Sequence, residues 1–145
     1  MSNTQPPEAQ IRALIEDRAK AVRAKDAEAP LSNYAPDFLA FDVINPLRYS
    51  GPDALRQRME DWLSSFQGPV GYEIRDLSIT AGDDVAFCHF LNQIRGTRKD
   101  GGELEMWWRA TVCFRKVDGR WLITHEHNSV PFDGETGKAS IDLKP

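Results

Sequence analysis

The stretch WWRATVCFRKVDGRWLITHEHNSVPF, residues 107–132, predicts the fold of this chain more clearly than any other part. It contains two runs rich in β-branched and aromatic residues, which favour strands. Between them stands Asp118-Gly119, a dipeptide typical of tight hairpin turns. We therefore expect strands near 103–116 and 120–130, paired as an antiparallel hairpin.

Two further strand-like runs precede this hairpin, near residues 70–80 and 84–95. Polar turn segments separate the runs: AGDD after the first and RKDGGE after the second. From about Val70 onward, apolar and polar residues alternate with a period of two, as in strands with one buried face. The order of the runs predicts an antiparallel meander.

The residues before Val70 show helical periodicity instead. The segment 6–29 opens with prolines and carries one apolar face, in which Arg18 is the exception. A second helix is expected over 51–66, ended by Gly68-Pro69. Between the helices, residues 31–43 begin as a short helix or turn and then become extended. Helices followed by an antiparallel sheet predict an α+β fold, with the helices on one face of a curved sheet.

Length and composition indicate one globular domain over residues 1–145, with flexible ends at 1–7 and about 134–145. The chain has 145 residues, 41% of them hydrophobic and 28% charged. Its formal charge is −4 and its basic residues are scattered, which argues against binding to nucleic acid or to an anionic membrane surface. The segment MSNTQPPEAQ has no basic region that leads into an apolar core, and no apolar run approaches about 18 residues, so we expect a cytoplasmic protein. Cys88 and Cys113 lie in strand-like runs and are expected to be buried, reduced thiols.

The segment His125-Glu126-His127 raises the question of a metal site. The two histidines share one face of a strand, while Glu126 points to the other. Two imidazoles can bind one metal ion, but zinc needs a third and usually a fourth ligand, and no second cluster has suitable spacing. We predict neither a metal nor a cofactor, and the histidines are expected to form hydrogen bonds to neighbouring strands.

Asp42 stands at the end of an apolar strand. A carboxylate held against apolar walls has its pKa raised by desolvation and can act as a general base near neutral pH. The alternative is a turn aspartate that accepts backbone amides before Asn45-Pro46. The sequence alone leaves both interpretations open.

The strand over 103–116 has one apolar face and one mixed face, and the mixed face includes Trp107, Arg109 and Thr111. If this mixed face lines a cavity, Trp107 supplies an aromatic wall and Arg109 a cation that binds a carboxylate or enolate. If it faces solvent, Arg109 lies along the surface. His89 similarly suits a core or interface position or a proton shuttle, and Trp62 suits the core or a cavity wall.

Four motifs together resemble the nuclear-transport-factor-2-like (NTF2-like) superfamily, and within it the ketosteroid-isomerase-like or SnoaL-like group. They are AKD at 24–26, NYAPDFLAFD at 33–42, YSGPDALRQRM at 49–59 and the stretch 107–132. The resemblance covers about residues 8 to 132. It implies a cone-shaped α+β barrel, in which a curved sheet wraps round the N-terminal helices and leaves a central pocket. It also implies a homodimer formed through the outer face of the sheet.

The same resemblance assigns roles to particular positions. Asp42 falls where the steroid isomerases have their proton-shuttling aspartate, Arg18 where they have the oxyanion-hole tyrosine, and Thr111 where they have a protonated aspartic acid. Since both oxyanion donors are replaced, true steroid isomerisation is not expected. The segment HEHNSVP also resembles the association domain of the calmodulin-dependent kinase, which uses this fold for assembly, so that the fold alone does not select an activity.

Two hypotheses follow. The first is a cofactor-independent isomerase, cyclase or dehydratase-type catalyst that abstracts a proton next to a carbonyl of a small apolar or acidic substrate. The second is a non-catalytic small-ligand-binding or dimerisation module. A regular last strand would turn Glu126 inward to meet Arg109, and a bulged one would turn His125 or His127 inward. The candidate catalytic residues are Asp42, Arg109 and His127; the candidate substrate-binding residues are Arg18, Tyr34, Trp62, His89, Trp107, Thr111, His125, Glu126 and Asn128.

Overall fold

The computed structural model describes residues 5–145. In chain order it contains α1 (Pro7–Arg23), a short 3-10 helix (Ala29–Asn33), β1 (Tyr34–Phe41), β2 (Tyr49–Ser50), α2 (Pro52–Ser64), β3 (Phe66–Ala81), β4 (Val85–Arg98), β5 (Glu103–Val117) and β6 (Arg120–Ser129). The strands form one six-stranded sheet in the order β2-β1-β6-β5-β4-β3. Neighbouring strands are antiparallel except β1 and β6, which are parallel. The sheet is curved and unclosed, and the predicted α+β fold is confirmed.

The first helix begins where its sequence predicts but ends earlier, at Arg23 rather than just before Pro30. Pro7 occupies the first turn, where its missing N–H costs no hydrogen bond. Ile11, Ile15 and Ala19 are buried on one helical face against the sheet, and α1 lies mainly against β3. Among residues 5–145, no helix is long and apolar enough to cross a membrane.

The second helix ends earlier than predicted. It stops at Ser64, and Gly68 and Pro69 lie inside β3 rather than terminating the helix. β3 tolerates a proline because it is the edge strand, where a missing N–H breaks no ladder bond, and the pairing with β4 is irregular between Gln67 and Gly71. The sequence analysis missed the first residues of β3 because Gly and Pro usually mark the end of a helix or strand.

The hairpin between β5 and β6 is confirmed. Asp118 and Gly119 have φ angles of 50° and 80°, as a two-residue hairpin turn with both central residues in the left-handed region requires. The other predicted strands are also present, and β3 begins four residues before the expected start at 70.

β6 contains one extra residue relative to β5. Ile123 and His125 face consecutive residues of β5, so that Thr124 between them has no counterpart. Because of this bulge, Ile123 and Glu126 both point to the buried side of the sheet, although strict alternation would separate them. The expectation that a bulge would turn a histidine inward is therefore wrong, since the bulge lies before His125 and turns Glu126 inward.

The core lies between the concave side of the sheet and the two helices. Phe38, Val112 and Ile123 have no exposed surface. Both cysteines are free, as predicted; Cys88 is fully buried in this core, as expected, whereas Cys113 is only half-buried. Burial raises the pKa of the Cys88 thiol to about 12, so that it stays protonated near neutral pH.

The ends of the chain were predicted to be flexible. At the N-terminal end, residues 1–4 lie outside the described residues, and α1 begins at Pro7. At the C-terminal end, Phe132 forms a β-bridge with Ala139, and the Asp133 carboxylate accepts backbone N–H groups of Glu135 and Thr136. These contacts fold residues 132–139 into a tight turn.

Candidate functional site

The concave side of the sheet encloses a group of polar side chains. At its centre, Nη2 of Arg18 on α1 lies 2.6 Å from Oε1 of Glu126 on β6, and the two side chains are only 18% and 8% exposed. We call the group around this pair the inner cluster. It consists of Arg18, Tyr34, Tyr72, Asn92, Trp108, Glu126 and Asn128.

Both carboxylate oxygens of Glu126 are occupied. Oε1 accepts from Arg18 and, at 3.4 Å, from the hydroxyl of Tyr34. Oε2 accepts from the side-chain amide of Asn128 at 3.2 Å, whose own carbonyl oxygen accepts from the indole N–H of Trp108 at 3.2 Å. This chain of bonds fixes the carboxylate, and in this arrangement Glu126 serves as an anchor rather than as a free base.

One guanidinium nitrogen of Arg18 has no hydrogen-bond partner among the described residues. This atom, Nη1, is buried. Burial by itself lowers the pKa of Arg18. The negative charge of Glu126 and the nearby tyrosines outweigh this effect, so that the pKa is raised overall and the guanidinium stays charged. The site therefore contains a fixed cation with an unused N–H donor.

Aromatic rings contribute to the inner cluster, and the guanidinium of Arg18 lies over the ring of Tyr34, 5.8 Å from its centroid. Trp62 on α2 packs edge to face against Trp108 at a centroid distance of 6.1 Å, and Tyr72 lies 6.0 Å from the same ring. The hydroxyl of Tyr72 donates to Asn92 at 2.7 Å. These rings form an apolar wall beside the charged pair.

Asp42 follows β1 directly, and both of its oxygens are occupied too. Oδ2 accepts from Nη2 and Nε of Arg58 at 2.7 and 3.2 Å, and Oδ1 accepts the backbone N–H of Val43 at 2.7 Å. Arg58 also lies over the ring of Tyr49, 4.6 Å from its centroid. Asp42 thus combines the turn contact that its sequence allowed with an ion pair that the sequence did not suggest.

Six other predicted site residues lie away from the inner cluster. His89, Thr111 and His127 stand side by side on β4, β5 and β6 and are exposed. The same outer face of the sheet carries Trp107, Arg109 and His125. The mixed face of β5 therefore points outward, because its apolar face packs on the core.

The predicted contact between Glu126 and Arg109 is wrong. Glu126 pairs with Val112, and since paired residues share a face, Arg109 and Thr111 point the other way. Arg109 instead donates from Nε to the hydroxyl of Ser129 at 3.1 Å. The positive charge beside Glu126 comes from Arg18.

The remaining outer-face contacts are local. A ring nitrogen of His125 lies 2.8 Å from the carbonyl oxygen of Leu39, a hydrogen bond to the neighbouring strand, as the sequence favoured. Arg75 lies over the ring of Trp107, 4.8 Å from its centroid. No three His, Cys, Asp or Glu side chains within residues 5–145 are grouped to hold a metal ion.

Sequence reasoning missed Arg58, Tyr72, Asn92 and Trp108. Asn92 gives a usable signal, since it interrupts the apolar alternation of Cys88, Phe90 and Ile94 on β4. Buried at 2% exposure, it is a polar residue in a core position and therefore needs a partner.

Comparison with known families identifies this architecture. Residues 11–133 match the model of the SnoaL-like domain. The chain belongs to the SnoaL-like family. A search of curated proteins finds no significant match.

Solved structures support this assignment. An NTF2-like protein from Pseudomonas putida KT2440 is 39% identical, with a TM-score of 0.85 and coverage of 95% of this chain and 96% of that one. A ketosteroid isomerase-like protein from Erwinia carotovora atroseptica is 21% identical, with a TM-score of 0.70 and coverage of 83% and 93%. A candidate dehydratase of the NTF2-like family from Streptomyces avermitilis is 15% identical, with a TM-score of 0.72 and coverage of 83% and 93%. The last two show a shared fold.

Breaking the central ion pair should be costly. Arg18→Met or Glu126→Leu alone leaves an unpaired buried charge, and we expect each to lower the free energy of unfolding by about 3–5 kcal/mol. The double variant removes both charges and should recover most of that loss. Urea unfolding of the wild type, the two single variants and the double variant measures these free energies. Additive losses in the double variant would contradict a coupled pair.

The three tyrosines of the chain should resist ionisation. Burial raises the pKa of Tyr34, Tyr49 and Tyr72 above the ordinary value of 10.0. A raised folded-state pKa contributes stability that is complete below pH 10 and is lost as the pH rises through the folded-state value. In an alkaline titration, tyrosinate absorbance should rise only together with loss of the far-ultraviolet circular dichroism. A tyrosine that ionises near pH 10 in the folded protein would contradict the buried assignment.

Proposed function

We propose that this SnoaL-like protein binds a small, mostly apolar molecule that carries a carbonyl group, on the concave side of the sheet at the inner cluster. The observation that supports this most directly is the buried Nη1 of Arg18, which has no partner among the described residues. A buried donor without an acceptor costs about 1–3 kcal/mol, and a ligand oxygen would recover that energy.

The charge of the cluster favours a neutral acceptor. Glu126 already neutralises Arg18 at 2.6 Å. A ligand carboxylate would add a second negative charge to a buried site that holds one cation, and desolvating it would be costly. A ketone or aldehyde oxygen accepts the same N–H without this cost.

The walls of the site suit an apolar ligand body. The rings of Tyr72 and Trp108 belong to the inner cluster, and Trp62 packs against Trp108. The two tryptophans remain partly exposed, which leaves this part of the cluster open to solvent. The proposal needs no metal and no cofactor.

Catalysis is the second candidate function, with Asp42 as the base. Asp42 and Arg58 are 25% and 20% exposed, so that solvent reaches this pair more readily than Glu126. If Arg58 moves to the ligand, Asp42 is freed to accept a proton next to the carbonyl.

One experiment with acetophenone addresses both candidates. We expect it to shift NMR signals of Arg18 and Glu126, and Arg18→Met should weaken binding by about tenfold, the loss of one hydrogen bond to a charged group. Arg115→Gln, an exposed arginine on β5, is the matched control and should bind normally. Benzoate carries a charged carboxylate in place of the ketone, and ethylbenzene has no carbonyl group. Both should bind more weakly than acetophenone. Equal or tighter binding of benzoate would reject the neutral-acceptor proposal.

The same sample in deuterated buffer tests catalysis. Exchange of the methyl protons of acetophenone, faster than in buffer and lost in Asp42→Asn, would support Asp42 as the base. Exchange that survives in Asp42→Asn would exclude that role, and binding without exchange would leave ligand binding as the function.

We also propose a homodimer through the outer face of the sheet. Phe87 is 47% exposed there, two residues from His89 on the same strand, and the exposed row of His89, Thr111 and His127 lies beside it, which gives a mixed apolar and polar surface typical of interfaces. Sedimentation at micromolar concentration should show a dimer, and Phe87→Arg should give a monomer. Ile44→Arg, at 67% exposure outside the sheet, is the control. A monomeric wild-type protein would overturn this proposal.

A further inference from the structure

A second concave surface lies outside the inner cluster, between α1 and the edge strand β3. Its volume is about 520 Å³, within the range of small-molecule sites. The lining residues come from one face of the helix and from the facing strand. They are Arg12, Glu16, Ala19, Lys20, Arg23, Glu73, Ile74 and Leu77. We call this surface the α1–β3 cleft.

The cleft contains two cations without a carboxylate partner. Within residues 5–145, neither Lys20 nor Arg23 has an acidic group within 4.0 Å, although Glu16 stands four residues before Lys20, a favourable spacing for an ion pair. Nε of Arg23 donates to the backbone carbonyl of Tyr72 at 3.0 Å. This bond holds the guanidinium at the cleft and leaves its two terminal nitrogens available.

The floor of the cleft is apolar, and a β-bulge creates it. Ile74 and Leu77 both line the cleft and pack against the main core, although their odd spacing would place them on opposite faces of a regular strand. The pairing of β3 with β4 shifts between Arg75 and Ser78, and Asp76 adopts a φ of 59°. Bulges of this kind often re-aim side chains beside binding sites.

Cations near the C-terminal end of a helix are favoured by the helix dipole alone. The dipole does not explain an apolar floor beneath them or the anchoring of Arg23. A site with two free cations at one end and an apolar floor matches a ligand with an anionic group and an apolar chain.

We propose that the α1–β3 cleft is a second binding site, for a free amphipathic anion such as a medium-chain carboxylate. The anionic group binds Lys20 and Arg23, and the chain lies over Ile74 and Leu77. A free molecule fits better than a lipid in a membrane, because the binding surface is recessed and the chain as a whole carries a charge of −4, which repels anionic vesicles.

The test is an amide NMR titration with octanoate, with acetate as the probe that lacks the chain. Octanoate should shift signals of α1 and β3 around the cleft, and acetate should bind at least about tenfold more weakly because it buries less apolar surface. The variant K20Q/R23Q should lose about tenfold in octanoate affinity, the typical loss for hydrogen bonds to charged groups. Arg115→Gln, an exposed arginine on β5 away from the cleft, should bind octanoate as the wild type does.

Other outcomes would overturn the proposal. They are unchanged octanoate affinity in K20Q/R23Q, equal affinity for acetate, signal shifts confined to the inner cluster, and no binding of octanoate at millimolar concentration. Binding at these residues to vesicles with anionic lipid, but not to octanoate, would assign the cleft to a membrane surface instead. Lys20 and Arg23 are exposed, so K20Q/R23Q should fold, and its circular dichroism checks this.

Discussion

The structure depends on the ion pair between Arg18 and Glu126. Removing two charges from water costs several kcal/mol each, and only close pairing with further hydrogen bonds offsets that cost. The pair joins the middle of α1 to the end of β6, the two elements furthest apart in the chain. The positions of Tyr34, Asn128 and Trp108 follow from it, because each completes the bonding of the carboxylate or of its neighbour.

A single extra residue in β6 makes this pair possible. The bulge at Thr124 lets the strand bury Ile123 with the apolar core and still turn Glu126 to the same side. β3 uses the same device between Arg75 and Ser78, where it turns Leu77 toward α1. Each proposed binding site therefore depends on a bulge that orients one of its side chains. Tyr72 connects the two sites, since its hydroxyl donates to Asn92 in the inner cluster and its backbone carbonyl accepts from Arg23 in the cleft.

Much of the fold could be predicted from the sequence, because hairpin turns and apolar periodicity are local properties. Arg18 stood out as a polar residue in an apolar stripe, and it does lie at the centre of the site. The orientation of β5 stayed open, since alternation separates Arg109 from Val112 without saying which of them faces the core. The Asp42–Arg58 pair was missed because it joins a strand end to a helix, a contact that spacing along the chain does not encode.

The central claim is that Arg18 is a buried, immobilised cation with one donor left for a ligand. Nitrogen-resolved NMR of its guanidinium group at low temperature tests this most directly. The account predicts separate signals for the two terminal nitrogens, with slow hydrogen exchange, and a shift confined to Nη1 when a ketone binds. One averaged signal with the rapid exchange of a solvated arginine would contradict it.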